Sequence, residues 1–424
     1  MERYSDYKDS GVKWLGEIPR HWEVRKAKYL WRESFAISEN GSEELLSVSQ
    51  YEGVTPSKGE SRSESLKGYK IVCENDLVIN IMLAWLGGLG VSKCNGIVSP
   101  AYCIYKIIGN SNPRFLHYLY KTPLYLAEFA RHSTGIVPSR WRMYTDDFGQ
   151  VLTILPPRKE QEAIANYLDA ATSKIDEAIG QQQKMIDLLN ERKQIIINNA
   201  VTKGLDPNVP MKNSGVEWIG KIPEHWEIKP LKYCARTNSG STPRSISGKE
   251  NPMATIKWVK TTDLKNCHVC DTTEYLTLDE MKSASCPLLP KGTVLISMYG
   301  GEGSFGKLGL LDVEATINQA LCSINCFDNI MPEYIFYYLQ TIHPLWMKYA
   351  ASTRKDPNLN QETIRNISVV LPPLNEQKLI VNKINLHLNK IDTVLSNVIK
   401  QISLLQERKQ IIINDIVTGK VKVI

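Results

Sequence analysis

Three stretches of this chain return, nearly unchanged, about half a chain later, and that repetition limits its fold more than any other feature. Ser10–Glu23 (SGVKWLGEIPRHWE) recurs as Ser214–Glu227 (SGVEWIGKIPEHWE), a shift of 204 positions (214 − 10). Leu155–Gln161 (LPPRKEQ) recurs as Leu371–Gln377 (LPPLNEQ), and Glu191–Asn198 (ERKQIIIN) recurs intact as Glu407–Asn414, both shifted by 216. The order is A–B–A′–B′. A period near half the chain is far too long for a solenoid or propeller repeat, so it marks two copies of a domain-plus-helix unit.

Between these anchors the copies diverge. Residues 30–150 and 234–367 share an outline but few residues, and the second block is longer by 12 (216 − 204). A kept frame with changing contents points to two recognition modules of different specificity, with simple drift after duplication as the plain alternative.

The B segments carry the heptad pattern of long helices with an apolar seam. One heptad position of the second is filled by Ile384, Ile391, Val398, Leu405 and Ile412, and the position four residues on by Leu388, Leu395, Ile402, Lys409 and Ile416. The first copy offers Leu168, Ile175, Leu189 and Ile196 with Ile179 and Ile186, interrupted by Gln182 and Lys193. Polar seam residues lower stability but can set register, so Gln182, Lys193 and Lys409 are candidates for that role, or else the lysines snorkel outward. Pro156, Pro157, Pro372 and Pro373 mark helix starts, Asn375 is a candidate cap, and Gly204 and Gly419 mark the stops.

The A blocks read as mixed α/β. Asp76–Leu83, Ile104–Ile108, Thr293–Tyr299 and Ala320–Ile324 have strand character, and Pro113 and Pro332 open helices. The expectation is two α/β (α+β) recognition domains in tandem, each followed by a long helix, the helices forming an antiparallel coiled coil with pseudo-two-fold symmetry. The divisions are residues 1–154, first recognition domain; 155–204, central helical spacer; 205–213, connector; 214–370, second recognition domain; 371–424, distal helical spacer.

Two motifs tempt toward chemistry. Gly301-x-Gly303-x-x-Gly306 imitates a dinucleotide fingerprint, but the following Lys307–Asp312 reads as a strand where that site needs a helix. Cys267 and Cys270 with Cys322 and Cys326 could ligate zinc only with unusual spacing and no counterpart in the first block. No nuclease carboxylate cluster, P-loop or Asn/Asp-Pro-Pro-aromatic methyltransferase signature is present, so no catalytic residue and no metal ligand is assigned.

The remaining chemistry is basic and aromatic. A net charge of +6 permits a polyanionic partner without requiring one. Arg, Lys and Trp in loops can meet phosphates and base edges, which makes Lys58, Lys67, Arg131, Arg140, Trp141, Arg142, Arg244, Lys260, Lys307, Arg354 and Lys355 the DNA-contact candidates. For any one of them, a solvated or structural role is the competing reading. Trp14, Trp22, Trp218 and Trp226 belong to the repeated frame and are assigned to packing. Nine cysteines, an odd number, fit reduced thiols, and the polar start and the lack of a long apolar run fit a cytoplasmic protein with no membrane role.

The alternation of variable block and Leu-Pro-Pro-x-x-Glu-Gln helix, with the Gly-Val-x-Trp-x-Gly-x-Ile-Pro-x-His-Trp-Glu openings, resembles the specificity subunits of type I restriction-modification systems over essentially the whole chain. The resemblance implies a non-catalytic DNA-binding subunit whose two recognition domains each read half of a bipartite target in double-stranded DNA. It implies that the helices set the spacer and dock two modification (methyltransferase) subunits, with restriction subunits as further partners. It also implies that this chain binds no cofactor; S-adenosylmethionine, and ATP with Mg where restriction subunits are present, belong to the partners. An enzyme in its own right and a coiled-coil assembly factor without DNA specificity are the rival classes.

Overall fold

The structure is a computed structural model describing residues 2–50, 53–57, 59, 65–137, 140–299, 305–346 and 358–423. It divides into two compact units, Met1–Gln183 with Ile399–Ile424, and Lys184–Val398. Each unit therefore holds one variable block together with a portion of both long helices, Arg158–Lys203 and Leu374–Val417. Both helices begin directly after their Pro-Pro pair, where missing N–H groups cost nothing. Asn375 lies inside the first turn of the second helix rather than capping it, because the backbone N–H groups of Glu376 and Gln377 already bond the Pro373 carbonyl.

In the first unit, a four-stranded antiparallel sheet runs in the order Trp31–Ser34, Tyr102–Ile107, Leu77–Asn80, Leu89–Val91. Leu77–Asn80 is buried at every position, which is why its sequence runs apolar instead of alternating. Two further antiparallel pairs, the hairpin Leu46–Ser49 with Gly53–Pro56 and the pair Lys70–Val72 with Gly96–Val98, pack beside it. Helices Pro113–Tyr120 and Pro123–Arg131 cover the core, each opened by proline at its first turn and capped by the side chain of Asn112 or Thr122. The core gathers Trp22, Phe115, Leu119, Tyr120, Tyr125 and Phe148 with Ile164 and Leu168 of the first long helix and Ile413, Ile416 and Val417 of the second.

In the second unit, five strands lie in the order Ala235–Ser239, Leu321–Cys326, Val294–Ser297, Leu308–Leu311, Cys267–Val269, antiparallel except for the last pair. A three-stranded sheet, Glu274–Leu276, Ile256–Val259, Thr316–Ile317, is added here. Leu308–Leu311 is a strand, so Gly306 leads into a sheet and not into the helix that a dinucleotide site requires. Helix Pro332–Ile342 packs its tyrosines and Phe336 into a core completed by Trp226, Ile197 and Val201 of the first long helix and Ile380, Val381 and Ile384 of the second.

Two glycines end the long helices in the left-handed region, Gly204 at φ 77° and Gly419 at φ 76°. Both also make room. A Cβ at Gly419 would stand 2.5 Å from Pro19 Cδ, and one at Gly204 would stand 3.2 Å from the Trp226 ring. Among the described residues, no helix is long and apolar enough to cross a membrane.

Candidate recognition and docking sites

The repeated motifs meet in space, once in each unit. Trp22 is fully buried, and its indole N–H donates to Glu160 at 3.1 Å, while His21 Nε2 lies 2.8 Å from the same carboxylate. In the second unit Trp226, also fully buried, donates to Glu376 at 3.0 Å, with His225 Nε2 at 2.9 Å. Thus the His-Trp of the opening motif is received by the Glu of Leu-Pro-Pro-x-x-Glu-Gln. A buried indole N–H needs an acceptor, and a carboxylate is a strong one. The neighbouring glutamine works in the other direction. Gln161 Oε1 accepts from Asn112 N at 2.7 Å and its amide donates to Pro156 O at 2.7 Å; Gln377 repeats this with Met331 N at 2.8 Å and Pro372 O at 2.9 Å. Each glutamine binds the residue just before a proline-opened helix. The frame therefore ties each variable block to the start of a long helix.

The first unit's basic loop lies beyond the end of an interior strand of its sheet. Met143 N donates to Ile81 O at 3.0 Å, holding Arg142–Tyr144 against the turn that follows Leu77–Asn80. Trp141 is half-buried and meets Trp85 edge-on, centroids 5.4 Å apart. Arg140 and Arg142 are exposed beside it, as are Ile136, Val137 and Tyr144. Among the described residues, this loop is where several DNA-contact candidates stand side by side, as they do in the sequence. Arg131 is exposed but held by Glu128, with Nε–Oε2 at 2.8 Å and Nη2–Oε1 at 2.6 Å, and His132 shares that buried carboxylate at 3.0 Å. That fork occupies the guanidinium, so Arg131 has a structural duty that sequence reasoning missed. Lys67 is exposed.

In the second unit the candidates are dispersed. Arg244 is exposed, Lys307 is half-buried, and Lys260 Nζ pairs with Glu274 at 3.2 Å. Lys257 and Lys249 lie over the Tyr275 ring, 5.9 and 5.1 Å from its centroid, beside Asp271. Lys58, Arg354 and Lys355 lie outside the described residues. Among the described residues, no group of three His, Cys, Asp or Glu side chains could hold a metal, and all nine cysteines are free. Burial pushes the Cys322 and Cys326 thiols up to about 12.

Every seam residue is sheltered. Leu168, Ile384, Ile391 and Val398 are buried, while Ile175, Ile179, Ile186, Leu189, Ile196, Leu388, Leu395, Ile402, Leu405 and Ile412 are half-buried. The seam lysines find carboxylates on the other helix: within the first unit Lys409 Nζ lies 2.7 Å from both oxygens of Asp176, and within the second Lys193 pairs with Asp392. Neither aspartate stood out in sequence, because a charge outside an apolar pattern looks like ordinary solvated surface. On the outer faces, Leu188 is 61% and Ile195 51% exposed, and their repeat equivalents Leu404 and Ile411 are 53% and 52% exposed. An isolated exposed leucine needs no explanation, but the same pair one heptad apart in both units does.

One titratable group is unusual. His117 Nδ1 accepts from Val91 N at 3.1 Å on the floor of a cavity of about 280 Å³, and burial first, then Lys121 and Lys93, push its pKa down to about 4.

Residues 223–404 match the family described as type I restriction modification DNA specificity domain. A relative described as a type I restriction enzyme MjaX specificity subunit, from Methanocaldococcus jannaschii, is 24% identical over 447 aligned positions covering 96% of each chain. The type I restriction enzyme MjaVIII specificity subunit of the same organism is 27% identical over 284, covering 65% of this chain and 63% of the relative. Among solved structures, a chain from work on "complex assembly and conformational transition of the type I R-M system" has a TM-score of 0.71 at 14% identity, covering 95% of this chain and 99% of that one. That last likeness speaks for the fold alone.

Proposed function

We infer that the chain belongs to the specificity subunits of type I restriction-modification systems, and from that premise its parts divide the work. Each variable block reads one half of a bipartite double-stranded DNA target. The long helices form an antiparallel coiled coil that sets the spacer and docks two modification subunits. The chain itself is non-catalytic. S-adenosylmethionine and the methyl transfer to adenine belong to the modification subunits, and ATP with Mg belongs to restriction subunits where these join.

One observation carries this reading. The same Trp–Glu and Gln anchor is built twice, at Trp22–Glu160 and at Trp226–Glu376, and it holds two blocks whose sheets and loops differ. An enzyme would need one site completed; a plain assembly factor would need no divergent blocks. For the first half-site, the loop carrying Arg140, Trp141 and Arg142 is the strongest contact surface, since its cations are free of internal ion pairs among the described residues and Arg suits phosphate and guanine alike. For docking, the repeated exposed pairs Leu188–Ile195 and Leu404–Ile411 suit two copies of one partner. Exchanging residues 30–150 for those of a relative and mapping methylated adenines in cells tests the reading. One half of the target should change and the other persist; a change in both halves or in neither would refute it.

A further inference from the structure

The two lysines that interrupt the apolar seam each pair with an aspartate of the other helix, and both pairs agree on one register. Lys193 pairs with Asp392 within the second unit, and Lys409 pairs with Asp176 within the first. Asp176 precedes Lys193 by 17 residues (193 − 176), and Asp392 precedes Lys409 by the same 17 (409 − 392), so one antiparallel alignment satisfies both pairs. Asp392 is the lone carboxylate between Glu376 and Glu407 on the second helix. Slide that helix by one heptad and Lys193 faces Ile399 in one direction or Asn385 in the other. No slide of up to two heptads gives Lys193 another carboxylate.

We propose that the Lys193–Asp392 and Lys409–Asp176 pairs are the register key of the long helices, excluding slipped pairings rather than adding stability. This rests on the coiled-coil reading above. The apolar seam is a poor discriminator, because Ile, Leu and Val repeat every seven residues and pack nearly as well after a heptad slip. The lysines discriminate because a one-heptad slip leaves the half-buried Lys193 ammonium against an apolar or amide neighbour in either direction; the slip toward Asn385 would bring Lys409 to Asp169, a carboxylate already held by Arg114 and Tyr118. The aspartates are 55% exposed, so each pair contributes little in the correct register and acts mainly through what its loss forbids. A device of this kind would make the spacer length a property of four side chains as well as of helix length.

Spin labels on ketone-bearing residues introduced at exposed Glu191 and Thr393, both in the second unit, read the register in the isolated full chain without DNA or partners. The unsubstituted pairing should give one distance. K193L/K409L, with a more continuous apolar seam, should keep or raise its melting temperature and show a second population at a longer label distance, because a slide of about 10 Å along the axis, the rise of seven residues, adds in quadrature to the lateral separation of the two labels. The swapped variant K193D/D392K/K409D/D176K should restore the single distance. One unchanged distance in folded K193L/K409L would overturn the register key. A reference distance incompatible with paired helices would instead overturn the coiled-coil reading.

Discussion

Glu160 receives the indole N–H of Trp22 at 3.1 Å across 138 residues of sequence, and the phenol of Tyr4 donates to the same carboxylate at 2.5 Å. Removing that acceptor strands a buried donor, which costs about 1–3 kcal/mol. Glu160→Ala should therefore destabilise the first unit by about 2–3 kcal/mol, and Glu160→Gln, which keeps one acceptor oxygen, by roughly half as much. Hydrogen exchange read at residues 10–26 and 152–168 checks this. Unchanged protection there would mean that the Trp22 ring is held by packing alone.

Acid should loosen the first unit through His117. Its folded pKa lies near 4, below the usual value of 6.5, so between those values the unfolded chain binds the proton and the folded chain does not. Stability is then complete above about pH 6.5 and falls as pH drops toward 4, by up to about 3 kcal/mol. Protonating Nδ1 would also break the bond it accepts from Val91 N. His117→Phe, copying Phe336 at the same step after the helix-opening proline, should flatten urea-denaturation midpoints over this window. An equally steep profile in that variant would assign the acid sensitivity elsewhere.

Salt dependence should separate free from occupied arginines. Every DNA phosphate that the protein ceases to neutralise lowers the slope of log affinity against log salt by about 0.9, so Arg140→Ala with Arg142→Ala should reduce it by about 1.8. Arg131→Ala should leave the slope nearly unchanged while lowering thermal stability, because its guanidinium already serves Glu128. Fluorescence anisotropy with a target duplex across a salt series makes the distinction.

Partner stoichiometry should follow the repeated outer pairs. Leu404→Asp with Ile411→Asp should cost one of two modification subunits in native mass spectrometry, and adding Leu188→Asp with Ile195→Asp should cost the other. All four side chains are more than half exposed, so the isolated chain should melt within about 1 kcal/mol of its parent. Full assembly by the quadruple variant would exclude this face as the dock.

Much of the architecture is written in local pattern. Long-helix limits followed from Pro-Pro starts and glycine stops, because those residues act on the backbone where they sit. The seam followed from a seven-residue period, and the strand after Gly306 from a short apolar run. The repeat alone separated frame from contents. What the pattern could not contain was pairing at a distance. That Glu160 serves Trp22, that Gln161 holds Asn112, that Arg131 is occupied by Glu128 while Arg140 and Arg142 make no ion pair among the described residues, and that Asp176 and Asp392 answer the seam lysines are facts about side chains brought together by the tertiary fold. Hydrogen bonds and ion pairs act over a few ångströms of space and carry no signature along the chain, so only the folded structure decides which polar residues are already satisfied and which remain open to a partner.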